Sequence, residues 1–178
     1  MVRLTQEEIM TLLESLAKDA KRLLQILNLI SMERDELYDA AYSFIGTDAS
    51  PDDLAPDELG CSESISRIIQ KAFPTRRFPT LLSTRLLWEY LSKSPSFKQI
   101  DEPTYGCIVI SPTGSGNGTL TNGHVGVLGK NLSHDGTPWI MSNDSRMKTF
   151  EVNFTLGQWK RYYQGKGGFP VLFFLPLP

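Results

Sequence analysis

The sequence predicts an α+β fold in which N-terminal helices pack on a mostly antiparallel β-sheet. Two observations predict it. As far as Lys93, apolar side chains recur at helical spacing; after Pro103 the texture changes to short β-rich runs separated by Gly, Asn and Pro clusters. Helices followed by strands, rather than alternating with them, is the order of an α+β domain. The composition agrees, since 40% hydrophobic and 21% charged residues over 178 positions suit one buried core with an appended helical element.

Thr5 and Glu8 have the spacing of a capping box, and Ile9, Leu12, Leu13, Leu16, Ala20, Leu23, Leu24, Leu27 and Ile30 then recur with helical period. A second helix is expected after Ser31, with Leu37, Ala40, Ala41 and Phe44 on one face and Gly46 as its stop. Residues 46–59 are rich in Asp, Pro and Gly and read as an irregular acidic loop. This divides the chain into a helical region, 1–45, and a second domain, 46–178. Ile65, Ile68, Ile69 and Ala72 mark a helix ending near Pro74, and another helix is expected over residues 81–93. Strands are expected at 107–111, 124–128, 139–142, 150–154 and 171–175, with a short helix over 155–163.

A net charge of -2 argues against a dedicated nucleic-acid surface, although Arg76-Arg77 is locally basic. Cys61 and Cys107 are too few for a disulfide framework and lack zinc-site spacing. Charges at Glu7, Glu8, Glu14, Lys18, Asp19, Lys21 and Arg22 interrupt every N-terminal apolar run, so neither a membrane span nor a secretory signal is expected. The expectation is synthesis in the cytoplasm, with delivery by another agent if the protein acts outside. The wide apolar face of the N-terminal region must bury against the rest of the chain, another copy, a partner or a membrane surface. The glycine-rich residues 111–123 lack the Gly-Lys-Ser/Thr ending of a phosphate loop, and no helix follows them.

Cys61 follows Gly60 at the start of an amphipathic helix. There the helix dipole and unpaired amides lower a thiol pKa, whereas the acidic loop before it opposes thiolate formation. The alternative is that Cys61 packs as a small apolar residue. His124 opens a strand, HVGVL, where a rigid imidazole suits a thiol–imidazole pair; His134 sits in a polar turn, NLSHDGTP, and reads as solvated. A third residue would orient the ring, and Asn143 or Asp144 ends the next strand. Asn143 is the favoured candidate and Asp144 the alternative. Cys107, in an apolar β run, is expected to be buried and unreactive.

These segments resemble a family. GCSESI is similar to the nucleophile motif of NlpC-type cysteine peptidases, YGCIVIS to their second strand, and NGHVGVLG to their histidine strand; IMSN resembles the strand and Asn that end the related cysteine, histidine-dependent amidohydrolase/peptidase (CHAP) domains. The likeness runs from about Glu58 to Phe174. Three positions depart from the pattern: Gly60 stands for Asp before the nucleophile, Cys107 for the Asp of the second motif, and Glu63 for a small residue.

The resemblance implies a papain-like fold and a cell-wall hydrolase of phage or bacterial type, delivered by a holin, a phage particle or a secretion system. The implied reaction is amide hydrolysis in peptidoglycan by Cys61, His124 and Asn143, with the Cys61 amide and Ser62 as oxyanion donors and no metal or cofactor. Ser62 is also a candidate helix cap. Two other readings stand beside it: a non-catalytic module of a phage or secretion assembly, docking through its N-terminal helix, and a cysteine hydrolase or toxin with a protein substrate.

Overall fold

A computed structural model describes residues 5–50 and 60–178. Glu58 and Leu59, where the likeness begins, and most of the acidic loop lie outside the described residues. The N-terminal region is one helix, α1 (Gln6–Tyr42), and not two. Ser31 does not break it because SMERDELY contains neither Gly nor Pro and continues the apolar face. The expected capping box forms, with Thr5 Oγ1 accepting from the Glu8 amide and Glu8 accepting from the Thr5 amide. The helix ends near Gly46, whose φ of 77° favours glycine.

Next come α2 (Cys61–Ala72), a 3₁₀ turn at Pro74–Arg76 and α3 (Thr84–Lys93), the last capped by the Ser83 hydroxyl. A short strand, β1 (Phe97–Ile100), that the sequence pattern did not reveal precedes β2 (Ile108–Ser111), β3 (His124–Leu132), β4 (Pro138–Asp144) and β5 (Thr149–Thr155). A short helix, α4 (Leu156–Trp159), widens into a π-helical stretch at Lys160–Lys166, and β6 (Leu172–Pro176) closes the chain. The six strands form one antiparallel sheet in the order β1-β6-β2-β3-β4-β5.

Alternation along the strands separates two cores. On one face Ile108, Ile110, Val125, Val127 and Met141 pack with Leu37 and Ala41 of α1, Ile65, Ile68 and Ile69 of α2, and Leu87 and Leu91 of α3. On the other face Val109, Leu128, Ile140 and Phe173 pack with Trp159, Tyr163 and Phe169. Cys107 belongs to this second core and is fully buried, as its apolar surroundings in the sequence suggested.

Only the last turns of α1 join the core. Residues 5–29 are exposed throughout, whereas Leu37 and Ala41 have no exposed surface. A chain beginning at Ser31 is therefore expected to keep the domain's unfolding transition, and one beginning after Phe44 to lose it. Leu37→Ala alone should cost about 2–5 kcal/mol. Thermal unfolding followed by light scattering checks this, and a chain begun after Phe44 that is as stable as the whole would remove α1 from the domain.

Candidate active site

The site forms at the end of the sheet where β3 begins. Cys61 is the first residue of α2, on the face that carries Val125; His124 is the first residue of β3, and its ring lies on the opposite face. Both line one cavity of about 540 Å³, together with Asn143, Asp144, Asn153 and Tyr163. The thiol and the imidazole make no hydrogen bond to each other among the described residues; they face each other across the sheet end. The Tyr163 ring stacks on His124 with centroids 5.6 Å apart and lines the same cavity.

The backbone around both residues is set by close approaches. A Cβ on Gly60 would lie 2.7 Å from Ser50 Oγ and 3.4 Å from Asn143 Nδ2, so any side chain there would require Ser50 to shift. A Cβ on Gly123 would lie 1.9 Å from the Ser111 carbonyl oxygen. The loop before His124 is tied to α3: the Gly123 amide donates to Thr113 Oγ1 at 2.9 Å, and the Thr113 amide donates to Thr84 Oγ1 at 2.9 Å.

His124 is oriented by residues other than the two the sequence offered. Its Nε2 lies 3.0 Å from Ser142 Oγ, and Ser142 Oγ lies 2.7 Å from Asn153 Oδ1. Proton positions follow from one constraint. Asn153 Nδ2 donates to the Ser142 carbonyl at 3.3 Å, and a carbonyl can only accept, so Oδ1 is the amide atom facing the Ser142 hydroxyl. The hydroxyl must then donate to Asn153 and accept from His124 Nε2–H. That tautomer leaves Nδ1 as the basic nitrogen.

Strand alternation explains the choice of Ser142. Gly126 pairs with Ser142, so His124, Ser142 and Asp144 share one face, and Asn143 points to the other, beside Gly60 and Ser50. Asn143 is thus buried against the helix side, and the hydrogen bond to the ring comes from neither Asn143 nor Asp144. Asp144 acts on the ring through its charge. Asn153 reaches Ser142 from an irregularity in β5, where pairing shifts between Ile140–Phe154 and Met141–Val152.

Electrostatics weigh against a preformed thiolate. Burial pushes the Cys61 thiol up to about 11, outweighing the amides of Val125, Ser62 and Cys61 that favour the anion. Burial likewise pushes His124 down to about 4, against the opposing charge of Asp144. The aromatic wall is the desolvating body, with Trp159 stacked on the ring at 5.2 Å. The resting pair is therefore a neutral thiol and a neutral imidazole. Cys107 is higher still, at about 12, again through burial.

Ser62 is fully buried, and its hydroxyl has no hydrogen-bond partner among the described residues. It neither lines the cavity nor caps α2, whose N-cap position is held by Gly60 without a side-chain bond. Glu63 is buried beside the Arg67 guanidinium at 3.4 Å. Trp159 and Tyr163 are buried, and His134 lies in the β3–β4 turn. Among the described residues no group of three or more His, Cys, Asp or Glu is placed to hold a metal ion, and no helix is long and apolar enough to cross a membrane. Comparisons with protein-family models, curated proteins and solved structures find no match.

The neutral pair has a measurable signature. Alkylation of Cys61 by iodoacetamide should accelerate about tenfold per pH unit from 7 to beyond 9, because only the thiolate reacts. A plateau below pH 8 would mean a preformed ion pair. Stability should respond at both ends. His124 has a lowered folded pKa, so its contribution is present above about 6.5 and lost as pH falls toward 4. Cys61 has a raised one, so its contribution is present below 9 and lost as pH rises toward 11. Each group limits the slope to about 1.4 kcal/mol per pH unit. Thermal unfolding of wild type and His124→Gln, subtracted pH by pH, isolates the acid limb.

Proposed function

We propose that the protein is a cysteine hydrolase of amide bonds. One observation carries the reading: a helix-terminal thiol and a strand-borne imidazole line the same cavity, and the Ser142–Asn153 pair favours the tautomer whose basic nitrogen is Nδ1. Because the resting pair is neutral, proton transfer accompanies attack rather than preceding it. As the Cys61 S–H proton passes to His124 Nδ1, sulfur bonds to the carbonyl carbon and the carbonyl oxygen becomes an oxyanion, for which the Cys61 amide is the candidate donor. His124 then returns the proton to the leaving nitrogen, the C–N bond breaks, and water hydrolyses the thioester.

Peptidoglycan is the proposed substrate, on the resemblance of the Cys61 and His124 segments to NlpC-type and CHAP domains. Either the stem peptide or the N-acetylmuramoyl-L-alanine bond supplies the amide, and an endolysin-like role follows from the same likeness. The cavity suits a polar acyl-peptide: Asn122, Asn153 and Tyr162 line it, and Arg146 offers a cation for a substrate carboxylate. Mass spectrometry of purified peptidoglycan after digestion is the test. Fragments with new amino termini that disappear in Cys61→Ala support the reading, and intact polymer with either form removes the substrate. A second reading, a non-catalytic binding module, draws on the missing thiol–imidazole hydrogen bond; it requires saturable binding of the polymer with no bond cleaved.

A further inference from the structure

A second cavity, of about 490 Å³, lies beside the one that Cys61 and His124 line. Its lining is Asn153, Phe154, Gln158, Arg161, Tyr162 and Lys166, and Asn153, Phe154 and Tyr162 belong to both. The π-helical stretch builds this wall. Its wide turn closes where the Gly167 amide donates to the Tyr162 carbonyl, five residues back, at 3.2 Å. Residues five apart lie roughly 140° apart around an α-helix, whereas an i→i+5 turn brings them close to one face. Arg161 and Lys166 are five apart, so the widening sets both cations on the cavity. The end of the stretch is tied to the glycine-rich loop, since the Gly118 amide donates to the Gly167 carbonyl at 2.9 Å and the Thr119 amide to the Lys166 carbonyl at 3.1 Å.

Apart from the Tyr162 hydroxyl, the lining side chains offer donors and no uncommitted acceptor. Gln158 Oε1 accepts from the Thr155 amide at 2.8 Å, which leaves Nε2 as its open group. Asn153 Oδ1 accepts from the Ser142 hydroxyl at 2.7 Å. Arg161 and Lys166 make no ion pair among the described residues, and Lys166 Nζ stands 5.7 Å from the Tyr162 ring centroid. No carboxylate lines this cavity. Asp144, which lines its neighbour, accepts from the Arg146 and Met147 amides. Asp135, which like the Arg161 guanidinium lies beside Gly157, is committed to Ser133, Thr137 and Thr155. Donors without acceptors select an oxyanion, and the planar fork of Arg161 beside an ammonium suits a carboxylate.

From this lining we infer that the second cavity is a subsite for a carboxylate on the peptide chain whose amide is cut at Cys61; the hydrolase reading supplies the chain, and the donor set supplies the carboxylate. Its place along that chain is bounded. Steps of 5.6, 5.0 and 5.7 Å lead from the His124 ring through those of Tyr163 and Tyr162 to Lys166 Nζ. At most about five extended residues span that path, so the carboxylate lies no further than that from the scissile amide. Tyr162, 40% exposed, gives the intervening residues a flat surface to lie on.

Titration calorimetry on the full chain carrying Cys61→Ala tests this with two peptides: acetyl-Ala-Ala-Ala-Glu-Glu with a free carboxyl terminus, and acetyl-Ala-Ala-Ala-Gln-Gln with an amidated one. The acidic peptide should bind at least about tenfold more tightly at low salt, the value of one charge-assisted hydrogen bond. Arg161→Gln/Lys166→Gln should abolish that preference. Lys98→Gln/Lys160→Gln removes as many charges from exposed positions that line neither cavity, and should keep it. Equal affinity for the two peptides, no binding of the acidic one up to about 5 mM, or a preference lost equally in both double variants overturns the subsite. Cleavage is judged apart from binding. A charge preference that depends on Arg161 and Lys166, in a protein whose wild type cuts neither peptide nor peptidoglycan, supports the subsite and removes the hydrolase.

Discussion

Cys61→Ala is expected to lower amide hydrolysis by roughly 10³-fold or more while leaving the fold intact, because it removes the sulfur that forms the covalent intermediate. The residue has 7% of its surface exposed, at the cavity, so truncation at the helix start costs little packing. Cys107 is the internal control. It is fully buried with no route to the cavity among the lining residues, and Cys107→Ala should cost about 1 kcal/mol of stability and leave turnover near wild type. Steady-state kinetics with thermal unfolding on both variants separates the roles. A Cys61→Ala protein that still turns over, or iodoacetamide labelling of native Cys107 in preference to Cys61, would return Cys61 to the status of a packing residue.

The elements that were legible in the sequence are those whose periodicity is strong and local. The capping box at Thr5, the helix from Cys61 and the strands at His124 and Phe150 all announce themselves through spacing. β1 did not, because FKQI is a four-residue edge strand with one buried side chain, and its pairing with β6 is fixed only by the whole fold. The false break at Ser31 came from treating a change of surroundings as a change of element: the helix continues while its apolar face passes from exposed surface to the domain core. The thiol's pKa was left open by the sequence for a related reason. A helix terminus is visible in a sequence, but the burial that outweighs it depends on how the start of α2 packs against the sheet.

Substituting Ser142 is the second change expected to act strongly, and it tests the part of the site that sequence motifs do not show. Strand alternation already separates Asn143 from His124, since β3 and β4 keep even pairing even where the register slips between Leu128 and Leu132. Asn153 could not be read in the same way, because it reaches Ser142 only through the irregular pairing of β5. In Ser142→Ala the ring loses the acceptor of its Nε2 proton, and the tautomer with the proton on Nδ1 becomes accessible. That form cannot take the thiol proton. Turnover should fall by about 10²-fold, the lower range for a mispositioned general base, with KM nearly unchanged. Asn153→Leu should follow it in part, because Ser142 would then lack the acceptor that fixes its own proton. Asn143→Ala should act instead on stability, through its packing at Gly60 and Ser50. Nitrogen chemical shifts of the His124 ring give the readout that a purely structural role would not move: one Nε2–H tautomer in wild type and a mixture in Ser142→Ala. An unchanged tautomer in Ser142→Ala, or a larger loss of turnover in Asn143→Ala or Asp144→Ala, would move the orienting role to the strand-end pair.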